Sequence, residues 1–90
     1  MDEELIERAI MELCLERGQG KTICPSEAAR RVAGEGGDWR SMMTPVRQAA
    51  TRLAGDGRIS IYRKGRPIGP DEMRGVIRLG LPGKTLPGSG

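Results

Sequence analysis

Apolar residues recur along this chain with two different periods. Across residues 2–17, Leu5, Ile6, Ala9, Ile10 and Leu13 fall at the three- and four-residue spacings of one helical face. Asp2 suits the N-cap, Glu3 and Glu4 the positive end of the helix dipole, and Arg17 with Gly18 the C-terminal end. Met11 and Leu15 fall on the far side and are expected to be exposed. Thr22, Ile23 and Cys24 are β-prone, enough for one short strand. A second helix is expected from Pro25, whose missing N–H costs nothing at the first helical position. Either Cys24 or Ser26 caps it. Ala28, Ala29, Val32 and Ala33 face inward, and Arg30 and Arg31 outward.

After Gly34-Glu35-Gly36-Gly37, Asp38 can cap a third helix. From Trp39 onward, Trp39, Met42, Met43, Val46, Ala49, Ala50 and Leu53 share one face. Pro45 either kinks this helix or sits at the first position of a new one capped by Thr44. Trp39 matches the apolar phase and reads as a core anchor. Beyond Gly55-Asp56-Gly57 the period drops to two. Ile59 and Ile61 fall on one side, Ser60 and Tyr62 on the other, as in a half-buried strand. Lys64-Gly65-Arg66-Pro67 reads as a basic turn. Pro67 to Gly75 reads as a loop with one helical turn begun by Pro70, and Val76–Leu79 as a strand with Ile77 and Leu79 inward. From Leu81 on no core-forming pattern remains, so residues 1–80 are expected to form the domain and 81–90 a disordered tail.

Composition narrows the classes. Ninety residues, 37% apolar and 30% charged, fit one domain with one modest core. No apolar run approaches the roughly 18–20 residues of a membrane span. The acidic N-terminus is the reverse of a targeting signal, so a cytoplasmic location is expected and no membrane partner. There is no histidine and there are two cysteines, Cys14 and Cys24. That excludes Cys–His pairs and Ser–His–Asp triads and leaves too few ligands for zinc. The cysteines are expected to be buried or half-buried thiols. No enzyme activity, metal or cofactor is expected.

The net charge of +3 hides an asymmetry. Residues 1–39 hold five Lys/Arg against nine Asp/Glu, whereas residues 40–78 hold nine against three. The positive half contains the polar face of the third helix: Arg40, Ser41, Thr44, Arg47, Gln48 and Thr51. Arginine bridges two acceptors on guanine or pairs with phosphate, and glutamine bridges adenine. These residue types point to an anionic partner.

The order helix, short strand, helix, turn, helix, strand, wing, strand over residues 2–80 resembles the winged helix-turn-helix fold. The stretches GKTICPSEAARRVA, DWRSMMTPVRQAATRLAGDGRIS and KGRP with RGVIRLG together look like a family of short, functionally uncharacterised bacterial proteins with that fold. The resemblance implies an α+β, mainly α architecture of three helices with a small antiparallel β-wing. It also implies that the third helix enters the major groove while Arg63, Lys64 and Arg66 of the wing touch the duplex. Duplex DNA is then the expected partner, with transcriptional regulation the role. The alternative is a winged-helix module that docks another protein and does not bind DNA.

Overall fold

The amphipathic stripes of the chain converge on one core in the computed structural model, which describes residues 3–82. The Asp2 cap and the tail from residue 83 lie outside the described residues. The helices are α1 (Glu3–Arg17), α2 (Pro25–Ala33) and α3 (Met43–Gly55). The strands are β1 (Thr22–Ile23), β2 (Ser60–Arg63), β3 (Arg66–Ile68) and β4 (Arg78–Gly80). The four strands form one antiparallel sheet in the order β1-β4-β2-β3. This is an α+β, mainly helical chain with a winged-helix-like layout.

In α1 the most deeply buried line is Ile6, Ile10 and Cys14, each at most 1% exposed. Cys14 thus takes an inward place that the stripe reading left empty. The neighbouring line, Leu5, Ala9 and Leu13, forms the flank of the buried arc, and Leu5 in the first turn is 54% exposed. It borders a shallow depression with Ala9, Glu12, Arg31 and Val32 instead of entering the core. Leu15 is exposed as expected, whereas Met11 packs half-buried on the core.

Gly18 closes α1 by donating to the Cys14 carbonyl at 2.9 Å. Pro25 opens α2 after an extended Cys24. The Glu27 carboxylate accepts from the Cys24 backbone N–H at 3.0 Å, and Ser26 Oγ donates to Cys24 Sγ at 3.2 Å. So the cap position belongs to Cys24, and Ser26 supports it. Ala28 and Ala29 are fully buried, and their small side chains let α2 pack closely on its neighbours. Val32 and Ala33 are half-buried at the end of the helix.

The third helix departs from one expectation. Trp39–Met42 forms a separate 3₁₀ turn, and the α-helix starts at Met43. Pro45 therefore sits third in α3, still among the leading residues whose N–H groups have no intrahelical acceptor. It neither kinks the helix nor occupies its first position. Asp38 opens the 3₁₀ turn: its side chain accepts from the Ser41 N–H at 3.4 Å, and Ser41 Oγ donates to the Asp38 carbonyl at 2.9 Å. Val46, Ala49, Ala50 and Leu53 are all buried in the core.

The inner face of the sheet carries Ile23, Ile61 and Leu79, with Ile59 and Ile77 just outside the strands; all five are buried. The pairing of Ile61 with Leu79 joins the two strands read from the sequence. What the sequence reading missed is β3. The Lys64-Gly65 turn brings Arg66–Ile68 back along β2, with φ of 53° and 79° at its two central residues. Positive φ at both is the signature of the hairpin turn that matches strand twist. Arg63 and Arg66 flank that two-residue turn, so Pro67, opposite Tyr62, falls at a non-hydrogen-bonded position of an edge strand. Its ring removes no bond from the ladder. Pro70–Glu72 forms the expected short helical turn. Leu81, read as the start of a disordered tail, packs half-buried on the core and accepts from Tyr62 Oη at 3.3 Å. Gln19 Nε2 likewise donates to the Pro82 carbonyl at 2.7 Å.

Candidate nucleic-acid interface

The outer face of α3 presents Thr44, Arg47, Gln48 and Thr51 along a groove of about 360 Å³, closed on its far side by Pro70, Asp71 and Met73. Thr44 and Gln48 are exposed, and Arg47 and Thr51 are half-buried. The chain after β3 therefore runs beside the helix and covers part of the face that the sequence reading left open. Thr51 Oγ1 donates to the Arg47 carbonyl at 2.9 Å, a bond within the helix, and lies 3.7 Å from Met73 Sδ. Thr51 is thereby removed from the outward set. Asp71 was not among the expected site residues. Its carboxylate at the groove edge places a negative charge beside the polar face of α3.

Arg47 Nη2 donates to the Met73 carbonyl at 3.5 Å, a long bond, and Arg63 Nη1 donates to the Glu72 carbonyl at 3.1 Å. Two consecutive carbonyls are thus held by arginines from α3 and β2, which ties the connection to both elements. Lys64 and Arg66 are exposed at and beside the tip of the β2–β3 turn. Neither makes an ion pair among the described residues.

Arg40 and Ser41 belong to the 3₁₀ turn, so they do not share the face of α3. Ser41 is engaged with Asp38, as described above. Arg40 lies over the Trp39 ring at 4.6 Å from its centroid, and Arg30 of α2 lies over the same ring at 4.4 Å. Trp39 is half-buried against the core, so its apolar phase was read correctly while its faces serve as platforms for cations. The sequence pattern places Arg30 simply on the outward side of α2. Nothing in the periodicity joins it to Trp39, because it is the glycine-rich reversal that folds the 3₁₀ turn back against α2.

Elsewhere arginines meet carboxylates. Arg17 pairs with Glu27, Arg31 with Glu16 at 3.1 Å and Glu12 at 3.8 Å, and Arg52 with Glu7 at 2.9 Å and Glu3 at 3.8 Å. The hydrogen bond from Arg31 holds the Glu16 carboxyl below its ordinary range, and the Glu16 bond raises Arg31 in turn. Both cysteines are free thiols, Cys14 buried and Cys24 half-buried. Burial pushes the Cys14 thiol up to about 11 against a smaller opposing pull from Arg17. Among the described residues no group of three or more acidic or thiol side chains is placed to hold a metal ion. Nor is any described helix long and apolar enough to cross a membrane.

Among known proteins, a family model described as a protein of unknown function, DUF3253, matches residues 3–82. No curated protein matches the chain.

Proposed function

From the premise that the chain belongs to the DUF3253 family of proteins of unknown function, we propose that it binds duplex DNA. The contacts are Thr44, Arg47 and Gln48 on α3 and Arg63, Lys64 and Arg66 on the wing, with control of transcription the role served. Arg40, stacked on Trp39, adds a phosphate contact from the flank. One observation carries this reading. The cations of this face are held by neutral groups — carbonyls and an aromatic ring — or by solvent alone. Such partners orient a guanidinium without cancelling its charge, and a polyanion can still claim it. Thr44 and Gln48 supply the groups that read base edges, and the arginines and Lys64 position the backbone. No catalytic role is part of the proposal.

The test is an anisotropy titration of a mixed-sequence duplex pool at several salt concentrations. With about five phosphates neutralised, log affinity against log salt falls with a slope of about −5. The double variant Lys64→Ala/Arg66→Ala lowers that slope by about two while melting at the parent temperature. Absence of binding at low salt sinks the proposal. A second reading, docking of another protein, is favoured by Leu5 and Leu15, apolar side chains more than half exposed on α1. Partners recovered from extract that survive nuclease treatment support that reading over the first.

A further inference from the structure

The outer face of the sheet carries a second concavity, larger than the groove beside α3. It measures about 670 Å³ and lies between the Gly20–Thr22 segment, the β2–β3 turn and the Gly75–Arg78 segment. Alternation along the strands creates it. With Ile23, Ile61 and Leu79 turned into the core, Thr22, Tyr62 and Arg78 must face the other way. Gly80 lets the walls close in. A Cβ there would lie 2.9 Å from the Lys21 carbonyl oxygen and 3.3 Å from the Tyr62 ring, so only glycine permits this approach without a shift.

The lining has a definite chemistry. Lys21, Arg63, Lys64 and Arg78 are the four cationic residues of the lining, Arg63 with its guanidinium turned to the Glu72 carbonyl, and among the described residues no carboxylate lines the space. Arg78 is fixed in place: its Nε donates to Thr22 Oγ1 at 2.7 Å and its Nη2 to the Thr22 carbonyl at 3.1 Å. Tyr62 is fixed by its bond to the Leu81 carbonyl. The rest of the lining is Thr22, Tyr62, Val76 and the glycines at positions 20, 65 and 75. A site with one fixed arginine, exposed lysines beside it and an aromatic residue suits a ligand that is flat and negatively charged. Its volume is in the range of small-molecule sites.

We propose that this concavity binds a small flat anion, an unsaturated ring system bearing a carboxylate, sulfonate or phosphate. The ring lies against Tyr62, and the anionic group meets Lys21 and Arg78. The site does not depend on the DNA reading, although Arg63 and Lys64 border both. An occupant therefore competes with a duplex for those two side chains.

The experiment is an amide NMR titration of the full chain with 2-naphthoate, with the uncharged 2-naphthamide in parallel. Saturable shifts are expected at Gly20, Lys21, Tyr62, Gly65, Gly75 and Val76. The amide is expected to bind at least about tenfold more weakly, and Lys21→Gln to weaken naphthoate about fivefold at unchanged melting temperature. Equal binding of acid and amide overturns the proposal. So do shifts centred on α3 or on Leu5 and Leu15, or no saturable shift up to about 5 mM. None of these results bears on the duplex titration, which uses no small anion.

Discussion

Arg47 and Arg52 sit five residues apart on one helix and meet opposite surroundings. Arg52 reaches α1, where the Glu7 carboxylate takes it at 2.9 Å and Glu3 lies within 3.8 Å. Arg47 reaches the chain after β3, where it bonds the Met73 carbonyl and, although Asp71 borders the same groove, forms no ion pair among the described residues. The same contrast runs through the molecule. On the α1 side, Arg17, Arg31 and Arg52 are matched by Glu27, Glu12 and Glu16, and Glu3 and Glu7. On the α3–wing side, Arg40, Arg47 and Arg63 are steadied by a ring and two carbonyls. An internal carboxylate leaves an arginine little to offer a partner, whereas a carbonyl fixes its direction and leaves its charge. The difference, more than the net charge of +3, gives this small domain a polar axis.

Leu53→Ala tests the scaffold that both sides share. Leu53 is 1% exposed in the core, so its truncation is expected to cost about 2–5 kcal/mol in chemical denaturation, enough to unfold a domain of this size. Arg47→Ala tests the open side. It is expected to weaken duplex binding about tenfold and to lower the salt slope by about one, with only a small loss of stability because its carbonyl bond is long. Arg52→Ala tests the matched side. Its pair is partly exposed, so denaturation should register about 0.5–1 kcal/mol, while duplex affinity stays within about twofold. If Arg52→Ala weakens binding as much as Arg47→Ala, the contrast between the two arginines is functionally empty.

The smallest effect concerns pH. Glu16 has a folded-state pKa below its ordinary 4.5, first because of the Arg31 hydrogen bond. A depressed carboxylate contributes stability above its unfolded value and loses it as pH falls through the folded one. Melting temperature should therefore drop on acidification below pH 4.5, and Arg31→Gln should flatten that limb slightly, since the pair is solvent-exposed. An unchanged acid limb in Arg31→Gln refutes the role given to this pair.

The helical framework was legible because its signals are local. The stripe of Val46, Ala49, Ala50 and Leu53 and the alternation of Ile59 and Ile61 follow from period alone, and each of these residues is buried. β3 was not legible. A three-residue strand containing proline has no periodicity to detect, and it exists because a two-residue turn returns it to β2. The candidate site was legible in composition and only partly in geometry. Which arginines would find carboxylates depended on packing between distant segments, as Arg52 with Glu7 shows. The break between Trp39–Met42 and α3 moved Arg40 and Ser41 off the helix face. Local hydrogen bonding by Asp38 and Ser41 favours that turn, yet such bonding also fits the helix cap expected there.

Pro67 has a bearing on how copies of this chain behave together. β3 is the outermost strand on its side of the sheet, and the backbone groups of residue 67 point away from β2. In a three-residue strand that is the one place where an incoming strand would seek an N–H, and proline has none to give. Flanked by the charge of Arg66, the rim resists strand addition and the fibrillar stacking it seeds. Were copies gathered along a duplex, as proposed, that resistance would keep them dispersed.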